Sequence, residues 1–191
     1  ELALAAATDP LVFRRRHLRD RRARAVMERV IELAGGLSGP RGIGLARYKN
    51  RQCCAAVIVE VDVDMISAEV RVNHVWIAAD AGCVVDRDGL VNQLEGGAVQ
   101  ALSWCLKEAV EFDADGVTSV DWQSYPILRF SEVPHVTTDV IDGPMLPSLG
   151  AGEAAQGPTS AALANAVFAA SGLRVRDLPI TPERLRQVAS N

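Results

Sequence analysis

Glu153 lies in the segment Leu149-Gly150-Ala151-Gly152-Glu153-Ala154-Ala155-Gln156-Gly157-Pro158, directly ahead of an apolar, Ala-rich run. Gly150 and Gly152 permit backbone angles and close approaches that larger residues forbid. The run behind them reads as a helix, and the first N–H groups of a helix lack intrahelical acceptors and attract anions. A carboxylate held there can act as a base facing a bulky ligand. It can equally be a structural choice, because the helix dipole favours negative charge at a helix start. The residues alone leave both roles open.

Other arrangements offer less. His17, His74 and His135 are far apart and lack metal-ligand spacing. The four cysteines, Cys53, Cys54, Cys83 and Cys105, form no CxxC pair, so the usual zinc and iron–sulfur spacings are missing. They read as small buried hydrophobes in a reduced, cytoplasmic setting, with the periplasm as the alternative. No GxSxG elbow and no P-loop occur. Gly39 to Gly44 does not follow the GxGxxG order of a dinucleotide fold. Asp62 and Asp64 read as strand-end and turn carboxylates, without EF-hand spacing.

The net charge of −4 and a pI near 5.4 argue against a dedicated nucleic-acid binder. Eight arginines fall between Arg14 and Arg29. In an otherwise acidic chain they read as a solvated face, or as contacts to another part of a larger protein. No uncharged apolar run reaches the ~18 residues of a membrane helix. Glu1 to Ala7 are too few, and lack the basic flank, for a signal peptide. A chain that starts on Glu1 rather than Met is expected to be a fragment, a processed product or a trimmed chain.

The 191 residues allow one substantial core or two small lobes. Asp9 and Pro10 mark a helix start, and one broken helix or two short ones should run to Ala34, stopped by Gly35-Gly36. Ser38 to Gly44 reads as a link, which makes residues 1–38 an N-terminal helical segment and 39–191 the remaining domain. Cys53–Val63 and Glu69–Ala79 alternate as strands, with a turn at Asp64–Ala68 between them: a hairpin. Leu90–Val110 has a helical apolar stripe. Gly96-Gly97 inside it costs ~1–2 kcal/mol in propensity, which a helix keeps where something approaches its backbone closely. Val136–Ile141 is a last strand. Thr159–Ser171 is a helix closed by Gly172, and Thr181-Pro182-Glu183 opens a terminal helix. Without a regular βαβ rhythm this predicts an α+β fold, helices packed on a mixed, mostly antiparallel sheet.

Six segments together resemble the molybdopterin-binding large subunit of the xanthine dehydrogenase and aldehyde oxidase family, in its isoquinoline 1-oxidoreductase and nicotinate dehydrogenase branch. They are Arg41–Lys49, Ala79–Gly82, Asn92–Gly97, Asp121–Pro126, Gly150–Pro158 and Leu178–Pro182, in the family's order. The resemblance implies that residues 39–191 form a molybdenum-cofactor-binding-like domain. It implies Glu153 as general base on a hydroxyl or water at the molybdenum. The oxygen then attacks an electron-poor carbon, in an aldehyde or beside a ring nitrogen. It places Gln93 and Gly152 against the cofactor, and Asp80 and Asp86 along the pterin or its nucleotide tail. Here Asp86-Arg87 replaces the family's Asn-Pro, an added carboxylate that Arg87 must offset. The implied cofactor is molybdopterin with molybdenum, as the cytosine dinucleotide in this branch, with no protein ligand to the metal. Iron–sulfur clusters are expected only in a partner small subunit. The upstream part of the large subunit, or a second chain, is the other expected partner, and a homo-oligomer is allowed. The implied alternative is a non-catalytic orphan domain that binds no cofactor and acts in assembly or self-association.

Overall fold

The computed structural model describes residues 1–190. The centre of the sheet is β2 (Cys54–Val63), an almost unbroken apolar run. Such a run belongs to a strand covered on both faces, since successive side chains point to opposite sides. Cys54, Ala56 and Ile58 face one way and pack with Val26, Met27 and Val30 of helix α3 (Arg21–Leu33). Cys53, Ala55, Val57 and Val59 face the other way. They meet Leu94, Ala98 and Leu102 of α4 (Arg87–Leu106), and Leu163, Ala166 and Val167 of α5 (Gln156–Ser171). Cys53 and Cys54, neighbours in the chain, therefore lie on opposite sides of the sheet.

The strand order is β1 (Arg41–Arg47), β2, β3 (Val70–Asp80), β6 (His135–Ile141). β1, β2 and β3 are antiparallel, whereas β6 joins β3 in parallel, pairing His74 with His135 and Asp80 with Ile141. The fold is α+β with a mixed, mostly antiparallel sheet, as the sequence predicts. Helix starts follow their caps. Asp9 accepts from the N–H groups of Leu11 and Val12 at α2 (Pro10–His17), and Thr181 accepts from that of Arg184 at α6 (Pro182–Ala189). The first residues add a short helix, α1 (Leu2–Ala5). α5 begins three residues before Thr159, because a proline, here Pro158, is tolerated in a first helical turn.

The expectation of a link at Ser38–Gly44 needs correction: from Arg41 onward the segment is β1. Its glycines serve packing rather than turning: a Cβ on Gly42 would sit 2.2 Å from the Ala162 carbonyl oxygen, and one on Gly44 2.0 Å from that of Pro158. The backbone of α5 therefore lies directly on β1. Gly44→Ala must force the two apart and is expected to cost about 2–3 kcal/mol by overpacking. Urea denaturation of the variant checks this; an unchanged midpoint would count against the close β1–α5 approach.

The arginine-rich segment is largely tied inside the chain. Arg22 pairs with Asp80, Arg29 with Asp139 and Arg15 with Glu28, while Arg24 donates to the Arg15 and Leu18 carbonyls and Arg14 to that of Ile43. Between α4 and β6 the chain forms an arm with a small hairpin, β4 (Phe112–Asp113) and β5 (Gly116–Val117). Phe112, Val120, Trp122 and Phe130 of this arm are exposed apolar side chains. No helix among the described residues is long and apolar enough to cross a membrane.

Candidate active site

Ala154 and Ala155 are buried in the core beneath α4 and α5, which fixes the loop before α5 at its inner end. Gly152 and Glu153 are left exposed at the rim. Gln93, on the first half of α4, donates from Nε2 to the Gly152 carbonyl at 2.7 Å. Gln156 at the start of α5 donates to Gln100 of α4 at 2.8 Å. On the other side lies the turn between β1 and β2. Tyr48 donates its hydroxyl to Glu153 Oε2 at 3.0 Å, the Gly150 N–H reaches Gln52 Oε1 at 2.8 Å, and the Cys53 N–H reaches the Gly150 carbonyl at 3.1 Å. The structure thus brings Glu153, Gly152 and Gln93 into one cluster braced from two directions.

Asp80 and Asp86 do not join that cluster. Asp80 ends β3, is buried, and binds Arg22 through both oxygens, at 2.6 Å to Nε and 2.5 Å to Nη2; it also accepts the Gly82 N–H at 2.9 Å. Burial alone would push its carboxyl up, but the Arg22 guanidinium and the Gly82 N–H outweigh burial and hold it below the usual carboxylate value. This corner anchors the chain that leads to Glu153. The Leu149 N–H donates to the Ala81 carbonyl and the Gly143 N–H to that of Gly82. Asp86 caps α4 by accepting from the Gly89 N–H, and Arg87 turns to Asp139 and the Val140 carbonyl. Cys53 and Cys54 are pushed up to about 12 and about 11 by burial, so both stay as inert thiols.

Among the described residues, no acceptor in the chain takes the exposed N–H groups of Gly152, Glu153 or Gly157, and α5 has no side-chain cap. A Cβ placed on Gly96, Gly152 or Gly157 would meet nothing within 4 Å. Among the described residues, no contact accounts for the small size of these three glycines. Gly97, in contrast, packs at ordinary distance against Gln156 and Ala155. Free N–H donors at a helix start beside an open glycine-floored surface suit a large, phosphate-bearing ligand. No group of three or more His, Cys, Asp or Glu able to hold a metal occurs among the described residues.

Tyr48 and Gln52 are the site residues that sequence reasoning missed. Tyr48 lies inside a segment that carries the family resemblance, but no spacing rule connects residue 48 to residue 153.

The same architecture occurs in solved oxidoreductases. Quinoline 2-oxidoreductase from Pseudomonas putida 86 superposes with a TM-score of 0.65 at 24% identity, over 73% of this chain and 19% of that one. The aldehyde oxidoreductase from Desulfovibrio desulfuricans gives 0.64 at 25% identity, over 71% and 15%. The chain belongs to the molybdopterin cofactor-binding domain family of the xanthine dehydrogenase and aldehyde oxidoreductase large subunits; the family model matches residues 23–134. It is 38% identical to a subunit of the nicotinate dehydrogenase of Pseudomonas putida, across 97% of this chain and 17% of that protein. It is 29% identical to the beta subunit of isoquinoline 1-oxidoreductase from Brevundimonas diminuta, across 95% and 24%. The chain therefore spans a quarter or less of these relatives' length.

Proposed function

We propose that this chain forms the base-bearing wall of a molybdenum hydroxylase site, with Glu153 as general base in the hydroxylation of an aldehyde or an N-heteroaromatic carbon by water. The observation that carries the reading is the cluster of Glu153, Gly152 and Gln93, braced inside the chain and open outside it, in a member of the molybdopterin cofactor-binding family. The names of the two relatives, a nicotinate dehydrogenase and an isoquinoline oxidoreductase, support a ring-nitrogen substrate.

Gln93 and the free N–H groups of Gly152, Glu153 and Gly157 would hold the cofactor, in its cytosine dinucleotide form. When bound, it supplies the two-electron redox chemistry and makes water more acidic. The chain's own part is proton transfer and orientation: Glu153 accepts the proton of the attacking water. Asp80 and Asp86 enter as anchors, Asp80 of the approach to the Glu153 loop and Asp86 of the start of α4.

The remaining walls come from a polypeptide matching the rest of the relatives' length, and the iron–sulfur clusters from a small subunit. The exposed apolar side chains of the arm, Phe112, Val120, Trp122 and Phe130, support contact with such a partner, which would cover them. Metal analysis tests the proposal. The chain co-expressed with the remaining large-subunit polypeptide and the small subunit is expected to carry molybdenum. If molybdenum is absent both there and in the chain alone, the hydroxylase reading is lost and a non-catalytic domain remains.

A further inference from the structure

An exposed glutamate ordinarily samples many rotamers, yet a general base acts well only when its oxygen is held in place. The β1–β2 turn provides the means. Lys49 (φ 44°) and Asn50 (φ 62°) are consecutive non-glycine residues in the left-handed region, a conformation that persists only where its surroundings fix it. They are fixed on both sides: the Tyr48 N–H bonds to the Cys53 carbonyl at 2.8 Å, and the Gln52 N–H to that of Tyr48 at 2.9 Å. The same turn then grips the Glu153 loop through Gln52 and Cys53, both bonded to Gly150. The Tyr48 ring packs against the core, so its hydroxyl projects from a rigid base rather than from a free side chain.

We propose that Tyr48 is a positioning residue for Glu153: the strained turn aims its hydroxyl at Oε2 and so orders the carboxylate at the site. Oε1 has no hydrogen-bond partner among the described residues and is left to take the proton. The proposal rests on the reading of Glu153 as the base, but the ordering can be measured without it.

Carbon-13 relaxation of the Glu153 Cγ in the chain itself gives the first readout. In the wild type its order parameter is expected to be at least about twice that of exposed Glu111, whose carboxylate has no partner among the described residues; an order parameter below about 0.6 marks a flexible group. In Tyr48→Phe it should fall to the Glu111 level. The melting temperature should stay unchanged, because the ring and its packing remain. An order parameter for Glu153 that is the same in both proteins overturns the proposal.

In the assembled, molybdenum-loaded enzyme, Tyr48→Phe is expected to lower kcat about tenfold with KM and metal content unchanged. A wild-type kcat also overturns it. Should Glu153→Gln keep full turnover, the base reading fails by itself, while the relaxation measurement still decides whether Tyr48 orders the carboxylate.

Discussion

Glu153→Gln in the assembled enzyme is expected to lower kcat by ~10²–10⁴-fold, the range that a positioned general base contributes. The amide is close to the carboxylate in size, and its oxygen can still accept from the Tyr48 hydroxyl. The loop keeps its bonds with Gln93, Gln52 and Cys53, none of which involves the residue 153 side chain. What the amide cannot do is take a proton at neutral pH. Molybdenum content should therefore match the wild type while turnover collapses. Steady-state kinetics together with metal analysis on one preparation separates these effects. Unchanged turnover at equal metal content would remove Glu153 from the mechanism.

The largest stability effect is expected at the opposite end of the same loop. Arg22→Ala removes the guanidinium from buried Asp80 and leaves a carboxylate with only the Gly82 N–H. Breaking a buried pair from one side costs about 3–5 kcal/mol. Because Asp80 holds its carboxyl lower in the folded chain than in the unfolded one, the pair stabilises at pH above the unfolded value, about 3.9. That contribution is lost as the pH falls through the lower folded value. The gap between wild type and Arg22→Ala should be widest near neutral pH. It should narrow in acid, where the variant's Asp80 protonates and no longer buries a charge. Urea melts at neutral pH and at about pH 4 would show this; a gap independent of pH would mean that Arg22 acts through packing alone.

Much of the fold is legible in local sequence. The Asp9 and Thr181 caps, the Gly172 stop and the β2–β3 hairpin rest on rules that act within a few residues, and the structure follows them. Where a signal has two causes, local rules mislead. Gly42 and Gly44 look like linker glycines, but they are glycine because a helix more than a hundred residues later in the chain lies on them. The parallel pairing of β6 is equally hidden, since alternation shows which face a strand buries but not its direction. Within the candidate site, it is the family resemblance that singles out Glu153, Gly152 and Gln93, which the structure brings together. Asp80 is marked only by the resemblance, and its partner Arg22, 58 positions away, leaves no local trace. Tyr48 escapes notice for the same reason.

The bonds that fix the Glu153 loop join residues 59, 98 and 105 positions apart. Contacts over such separations form late, because a long stretch of chain must be restrained before any of them is made. The β2–β3 hairpin needs only local closure and can form early. During synthesis, Tyr48 and Gln52 leave the ribosome well before the glutamate they hold, and α5, which roofs β1, leaves after it. A nascent chain that has already built most of its sheet therefore still lacks the braced Glu153 loop. On the proposed reading, cofactor loading would wait until α5 has docked, and insertion would report that the sheet and its helices have come together.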